Sequence, residues 1–412
     1  QTAVRPLPCA PMTMHLFDTA RGEVVPFEPG PTVTMYVCGI TPYDATHLGH
    51  AFTYLTFDLV IRRLEDLGHE VHMVRNVTDV DDSILGKARE LGVDYLNLAT
   101  SEVASFHEDL AALDLRPASA EPRATESIQS ILDLIDRLES TGHTYTVEGT
   151  TFFDTSTWEG FGSVSGYDEA TMVAYAAERG ANPDDPRLRN PLDFILWQAS
   201  ADDEPSWDSP FGPGRPGWHI ECSAMAMAEL GQTIDLHGGG DDLVFPHHEC
   251  EETQSGAANG VPLTRHWMHV AMVSYEGIKM SKSLGNLVFI RNLRHLHDPR
   301  AIRLSLLAHH YRAGFEWFDH DIDDGVTRLD RLITAAGRPT GPDPAPTLAT
   351  IRNALDDDLN TAAARDALDM LAGAILAGAG KNPGSAAGLT EAAGLLGIRL
   401  DESVPESWVR TT

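Results

Sequence analysis

Residues 32–74 read TVTMYVCGITPYDATHLGHAFTYLTFDLVIRRLEDLGHEVHMV, and the spacing of their apolar side chains decides the fold class. Val33, Met35 and Val37 alternate, the period of a strand, over residues 32–38, and the segment 39–44 is turn-rich. Leu48, Phe52, Leu55, Leu59 and Leu67 then recur near helical spacing, so residues 48–67 are predicted helical, with Gly68 as a left-handed stop. Residues 71–74 read as a second strand. Strand, helix and strand in this order make parallel sheet, which takes ligands beyond the strand carboxyl ends, here at Cys38 and at residues 75–78.

Working outward, helical patterns cover residues 83–91, 96–113 and 125–140, the last with Ile128, Ile131, Leu132, Ile135 and Leu138 on one face. Residues 181–189 form an Asp- and Pro-rich loop. Sheet character returns at 194–197, 233–236 and 267–274, separated by helices at about 220–230 and 247–258. One parallel sheet interrupted by a mostly helical insertion is expected, followed after Pro299 by helices only, with a Pro-rich hinge at 338–346.

At 412 residues the chain exceeds a single domain. Its 42% hydrophobic and 22% charged residues exclude disordered, collagen-like and coiled-coil classes. The 30 Lys+Arg against 61 Asp+Glu give a formal net charge of −31, which opposes a broad phosphate-binding surface. No apolar run approaches the ~18 residues of a membrane span, and residues 1–14 lack a signal-peptide pattern, so the expectation is cytoplasmic, without membrane. Cysteines at 9, 38, 222 and 250 are too few and dispersed for a disulfide scaffold.

Two strings carry phosphate chemistry. His47-Leu48-Gly49-His50 opens the first helix, where free N–H groups and the helix dipole favour an anion and the glycine admits it closely. Lys279-Met280-Ser281-Lys282-Ser283 puts two cations three apart in a loop able to close over a polyphosphate. The chain has four lysines, Lys87, Lys279, Lys282 and Lys381, so half of them lie in that pentapeptide.

In this order and context the two strings resemble the nucleotide-binding signatures of class I aminoacyl-tRNA synthetases. Tyr36-Val37-Cys38-Gly39, Arg75-Asn76-Val77-Thr78-Asp79, Gly217-Trp218-His219-Ile220-Glu221-Cys222-Ser223, Gly238-Gly239-Gly240-Asp241-Asp242 and Phe245-Pro246-His247-His248-Glu249 narrow the resemblance to the cysteinyl-tRNA synthetase subgroup. It implies an α/β, Rossmann-like parallel sheet with a helical insertion and an α-helical C-terminal domain. It also implies attack of a carboxylate on ATP, taken with Mg2+, to give an acyl adenylate. The implied divisions are 1–100 and 200–270 for the two catalytic halves, 101–199 for the connective insertion, 271–300 for a lysine-loop segment resembling a stem-contact region, and 301–412 for the helical end without an anticodon-binding module.

By the same resemblance His47, His50, Lys279 and Lys282 are catalytic. Gly39, Ile40 and Thr41 line the adenylate with Cys38, Thr53, Asn76, Val77 and Thr78. Trp218 packs on the substrate backbone. Gly240, Asp241 and Asp242 serve ribose hydroxyls or the substrate ammonium, and Val273 contacts adenine. Cys38 ends one predicted strand, Cys222 opens a helix leading to another, and His247 and Glu251 stand four apart on one helix face. Two separated cysteines alone read better as buried free thiols. With the His/Glu spacing and the family placement, the four suit one zinc ion per chain, one position being weak or exchangeable. Zinc prefers a thiolate to a hydroxyl of nearly equal size, which shape alone separates by only ~10²-fold. Cys250 is expected to be a packed thiol.

Two departures from that subgroup stand out. Phe52 occupies the place where those synthetases carry Arg after a small residue, and only 16 residues follow Leu396, where they continue into a basic anticodon-reading segment. The length, Ile40-Thr41-Pro42-Tyr43-Asp44 and the segment 178–183, Glu-Arg-Gly-Ala-Asn-Pro, resemble a shortened branch, the actinobacterial ligases of mycothiol biosynthesis. The resemblance implies cysteine, ATP and glucosaminyl-inositol as substrates, cysteinyl-AMP as intermediate, no tRNA partner, and a monomer. The alternatives are a short cysteinyl-tRNA synthetase and a catalytically silent zinc-binding paralogue.

Overall fold

A computed structural model describes residues 13–43, 45–279 and 286–401. The chain enters through a hairpin, β1 (Met14–Asp18) and β2 (Glu23–Phe27), which the periodicity did not announce. The deciding stretch then folds as read: β3 (Thr32–Ile40), α1 (Leu48–Asp66) and β4 (Glu70–Val77), with Gly68 at φ +93° turning the chain after the helix. Next come α2 (Asp82–Leu91), α3 (Tyr95–Ala112) and α4 (Ile128–Ser140). The five-residue apolar face predicted for α4 is buried at Ile131, Leu132, Ile135 and Leu138.

The insertion is less helical than its sequence pattern. Beside its helices it holds an antiparallel sheet ordered β5 (Thr144–Val147), β6 (Thr150–Phe153), β7 (Phe194–Ala199), β8 (Gly214–Pro216), with α5 (Glu169–Glu178) between β6 and β7. The strand expected at 194–197 therefore exists but belongs to this sheet and not to the parallel one. β5 and β6 have four residues each and meet at Glu148–Gly149, both with positive φ (51° and 77°), the tight hairpin turn whose twist matches the strands.

The chain returns to the first sheet through α6 (Trp218–Leu230), β9 (Leu236–Gly240), α7 (Glu249–Asn259) and β10 (Trp267–Val270), giving four parallel strands ordered β10-β9-β3-β4. Two expectations shift here. The strand placed at 233–236 begins at Leu236 and runs through three glycines. A Cβ on Gly238 would lie 2.2 Å from the Met268 carbonyl oxygen and 2.5 Å from the Phe57 ring, so close packing demands the residue that propensity disfavours in a strand. The strand placed at 267–274 is two: the Ala271 N–H donates to the Tyr311 carbonyl (2.7 Å), and the chain leaves for a second sheet, β11 (Val273–Tyr275) and β12 (Ile278–Lys279).

After α8 (Ile290–Leu296) and α9 (Pro299–Leu306), the third strand of that sheet, β13 (Phe315–Trp317), pairs in parallel with β11. The expectation of helices only after Pro299 thus fails at one three-residue strand, too short to show a period. α10 (Asp321–Ala336), α11 (Ala345–Asp356), α12 (Thr361–Leu376) and α13 (Ser385–Leu395) complete the helical end.

α1 is covered by the parallel sheet on one side and by α11 and α13 on the other, so even its charged residues Asp58, Arg62 and Arg63 are buried. They are paired. Arg62 donates to Asp58 (2.7 Å), Arg303 of α9 donates to the same carboxylate, and Arg63 grips Asp356 of α11 with two bonds of 2.8 Å. Burial alone would raise the Asp58 carboxyl; Arg303 and Arg62 more than offset this and hold it below the usual range. This stabilisation is present above the ordinary carboxylate range and is lost as pH falls through the folded value. Arg303→Met leaves Asp58 and the carbonyls of Leu113 and Leu396 without that donor. It is expected to lower unfolding stability by about 3–5 kcal/mol in urea titrations, and a loss well under 1 kcal/mol would show that the pair does not tie the helical end to the sheet.

Candidate active site

The carboxyl ends of β3 and β4 meet where the periodicity placed them. The Gly39 N–H donates to Asn76 Oδ1 (2.7 Å), Asn76 Nδ2 donates to Thr78 Oγ1 (3.0 Å), and the Thr78 N–H returns to the Ile40 carbonyl (3.0 Å). A Cβ at position 39 would lie 1.7 Å from the Asn76 carbonyl oxygen, so glycine is required for this approach. Val77 is buried beneath, and the Thr41 hydroxyl reaches Asp81 at 3.4 Å. The predicted residues Cys38, Gly39, Ile40, Thr41, Asn76, Val77 and Thr78 are thereby held together.

His47 is the N-cap of α1. Its Nδ1 accepts from the Gly49 N–H (3.1 Å), and its ring stacks on His50 with centroids 3.8 Å apart. Accepting at Nδ1, the neutral imidazole carries its proton at Nε2. Thr53 donates to the Gly49 carbonyl (3.1 Å). The backbone after the lysine string is stitched to this helix start: the Leu48 N–H donates to the Val288 carbonyl and the Ile290 N–H to the Thr46 carbonyl, both at 2.9 Å. Lys279 ends β12 in register with Ser274, while Lys282 lies outside the described residues. Val273 is buried on β11, and Phe52 is core, packed edge-on against Phe315 at 5.1 Å.

Beside the strand ends the four expected metal donors converge. One ligand atom each from Cys38, Cys222, His247 and Glu251 lies within 4.8 Å of all the others. Cys222 comes from the second turn of α6, and His247 precedes α7, so that its Nε2 stands 3.0 Å from Glu251 Oε1. Trp218 stacks over the His247 ring at 4.3 Å, and His219 Nδ1 meets His247 Nδ1 at 2.9 Å. Burial pushes the Glu251 carboxyl well above the usual carboxylate range and likewise raises the Cys38 thiol. Burial would also raise Cys222, but its hydrogen bond with Cys38 and the charge of His247 bring it down to about 7.

The donor set fits a soft divalent cation. Glu251 is fully buried, and its Oε2 has no hydrogen-bond partner among the described residues, a costly arrangement that metal coordination would relieve. The sequence reading missed two neighbours, His237 on β9 and His248 beside His247, which form a second set of donors with Cys38 and Glu251. The adjacent pair His247-His248 and the histidine directly before the glycine run were the available signals. At the carboxyl end of β9, a Cβ at Gly240 would lie 2.6 Å from an Asp242 carboxylate oxygen, and Asp241 follows in a short 3-10 turn. Cys250 is packed in an apolar cluster with Trp197 and Ile220. Because Cys38 belongs to both donor sets, Cys38→Ala is expected to abolish tight zinc binding in metal analysis after dialysis; full occupancy in that variant would refute the placement.

A family model described as tRNA synthetases class I (C) catalytic domain matches residues 24–327. The chain is 50% identical over 394 residues, 95% of each protein, to a Thermobifida fusca protein named L-cysteine:1D-myo-inositol 2-amino-2-deoxy-alpha-D-glucopyranoside ligase. It is 49% identical over 397 residues to a Gordonia bronchialis protein of the same name, covering 93% of this chain and 95% of that one. Among solved structures, Mycobacterium tuberculosis methionyl-tRNA synthetase bound by methionyl-adenylate superposes with a TM-score of 0.63 at 16% identity, covering 90% of this chain and 92% of that one. Thermus thermophilus arginyl-tRNA synthetase gives a TM-score of 0.53 at 14% identity, covering 91% and 83%. These structural likenesses establish the fold. The chain belongs to the class I (C) tRNA synthetase catalytic-domain family and, within it, to the family of L-cysteine:1D-myo-inositol 2-amino-2-deoxy-alpha-D-glucopyranoside ligases.

Proposed function

We propose that this protein is an ATP-dependent carbon–nitrogen ligase that joins L-cysteine to the amine of 1D-myo-inositol 2-amino-2-deoxy-alpha-D-glucopyranoside. The observation that carries the reading is the buried tetrad Cys38, Cys222, His247 and Glu251 beside the strand ends of a chain half identical to proteins bearing that name. In the first step a carboxylate oxygen of cysteine forms a bond to the α-phosphorus of ATP and pyrophosphate leaves. In the second, the sugar amine attacks the carbonyl carbon of cysteinyl-AMP, the bond to AMP breaks, and the amine gives up a proton.

The residues divide this work by position. His47, with its proton at Nε2, and His50, stacked on it, present donors at the start of α1 where phosphate charge develops. Lys279 and Lys282 supply positive charge to the leaving pyrophosphate. Gly39, Ile40, Thr41, Thr53, Asn76, Val77 and Thr78 bind the adenylate. Gly240, Asp241 and Asp242 take its ribose or the cysteine ammonium, Val273 contacts adenine, and Trp218 covers the cysteine backbone. A zinc ion held by Cys38, Cys222, His247 and Glu251 supplies a soft contact that selects a thiolate over a hydroxyl. In this reading the enzyme uses Mg2+-ATP, carries one zinc per chain and works as a cytoplasmic monomer without tRNA; no helix among the described residues is long and apolar enough to cross a membrane.

Two measurements test these steps. Lys282→Ala is expected to slow cysteine-dependent ATP–pyrophosphate exchange by ~10²–10³-fold with unchanged unfolding stability, since it removes a preorganised cation. Unchanged exchange would make the loop ordinary solvated structure. For the acceptor, glucosaminyl-inositol is expected to stimulate AMP release from preformed cysteinyl-AMP, at a rate that rises with pH as free amine accumulates and depends weakly on salt. Efficient, steeply salt-dependent charging of tRNA with no transfer to the amino sugar would refute the proposal.

A further inference from the structure

Cys38 and Glu251 face two pairs of partners. On one side stand Cys222 and His247; on the other stand His237 and His248. This second group is wholly buried, with no exposure of His237, His248 or Glu251 and 5% of Cys38. Its donor separations are Cys38 Sγ to His248 Nε2 3.2 Å, to His237 Nε2 3.7 Å and to Glu251 Oε1 3.5 Å, His237 Nε2 to Glu251 Oε2 3.5 Å, and His248 Nε2 to Glu251 Oε1 3.9 Å. A tetrahedron around zinc, built from bonds of about 2.0–2.3 Å, has edges of about 3.3–3.6 Å. Cys38 Sγ, His248 Nε2 and Glu251 Oε1 stand 3.2–3.9 Å apart, His237 approaches the thiol at 3.7 Å and the other Glu251 oxygen at 3.5 Å, and one ligand atom from each of the four residues lies within 4.8 Å of the others, so the group contracts to bind an ion.

His248 is also backed as a ligand is. His248 Nδ1 meets His269 Nε2 at 2.6 Å, and His269 Nδ1 meets the Thr19 hydroxyl at 2.7 Å, which holds the ring with Nε2 toward Cys38. The Trp267 ring flanks His237 at 4.6 Å and His248 at 5.1 Å and keeps that side apolar. His237 Nδ1 has no hydrogen-bond partner among the described residues, so no side-chain bond at that atom competes for the ring's orientation.

We propose that Cys38, His237, His248 and Glu251 form a second metal position, overlapping the first through Cys38 and Glu251 and taken by a zinc-like divalent cation when Cys222 and His247 do not hold it. The two positions exclude each other, because each needs the same thiolate and carboxylate. The ion thus has somewhere to remain in the protein while the first position is disrupted. The inference rests on the metal reading of the first position, and the chemistry differs between them: one thiolate and two imidazoles here, two thiolates and one imidazole there.

The experiment is a cobalt(II) titration of the full chain after chelator treatment, followed by absorbance, with thermal unfolding as a check that each variant is folded. The wild type is expected to bind one equivalent with charge-transfer intensity from two thiolates. Cys222→Ala/His247→Ala is expected still to bind one equivalent, with that intensity halved, and adding His237→Ala and His248→Ala is expected to abolish it. His237→Ala/His248→Ala alone should keep the wild-type spectrum. No cobalt in folded Cys222→Ala/His247→Ala, with one equivalent in the wild type, would overturn the second position and leave the first intact. Binding that survives all four substitutions would also overturn it, and no binding by the wild type would overturn both.

Discussion

The pairing of β3 with β9 is the constraint on which the rest of the molecule depends. Met35, Tyr36 and Val37 lie in register with Leu236, His237 and Gly238, joining segments separated by the whole insertion. Without that register Cys38 would not face α6 and α7, and none of the donors from residues 222–251 would reach it. The packing around β9 requires glycine at 238 and 239. The first has no room for a Cβ against Met268 and Phe57, and the second would meet Leu243 at 2.8 Å. A glycine run that invites a ligand-binding interpretation is therefore first a packing device.

The same economy governs α1. Its amino end presents His47 and His50, while its body is enclosed between sheet and C-terminal helices, with buried Asp58 and Arg63 paired across that boundary. Buried pairs of this kind are costly to break and specific in geometry, so they fix how the helical end sits on the catalytic sheet. Phe52 contributes from the same helix by packing on Phe315 of β13. Phe52 is thereby part of the core that joins the two sheets.

At the strand ends, burial acts on chemistry. Water is excluded from Cys38, Cys222, His247, His248 and Glu251, so carboxyl and thiol groups there resist ionisation unless a cation or a hydrogen bond compensates. A soft metal bound there would supply that compensation, and the wall offers more donors than a single tetrahedral ion needs.

The sequence alone determined what depends on local period and on residue type. The strand–helix–strand core and the helices read at 83–91, 96–113, 125–140 and 220–230 were legible within a few residues, because apolar spacing does not require knowledge of distant partners, whereas the four converging donors became legible only through the family resemblance, since separated cysteines alone read better as free thiols. Tertiary structure decided the rest. Three-residue strands such as β8, β11 and β13 carry no readable period, the strand at 194–199 could not declare which sheet it would join, and the break at Ala271 depends on a carbonyl 40 residues later in the chain. His237 and His248 come within reach of Cys38 only in the folded chain, where β3 lies in register with β9. An imidazole's role is set by what stands within about 4 Å of it, and that distance is a property of the folded chain.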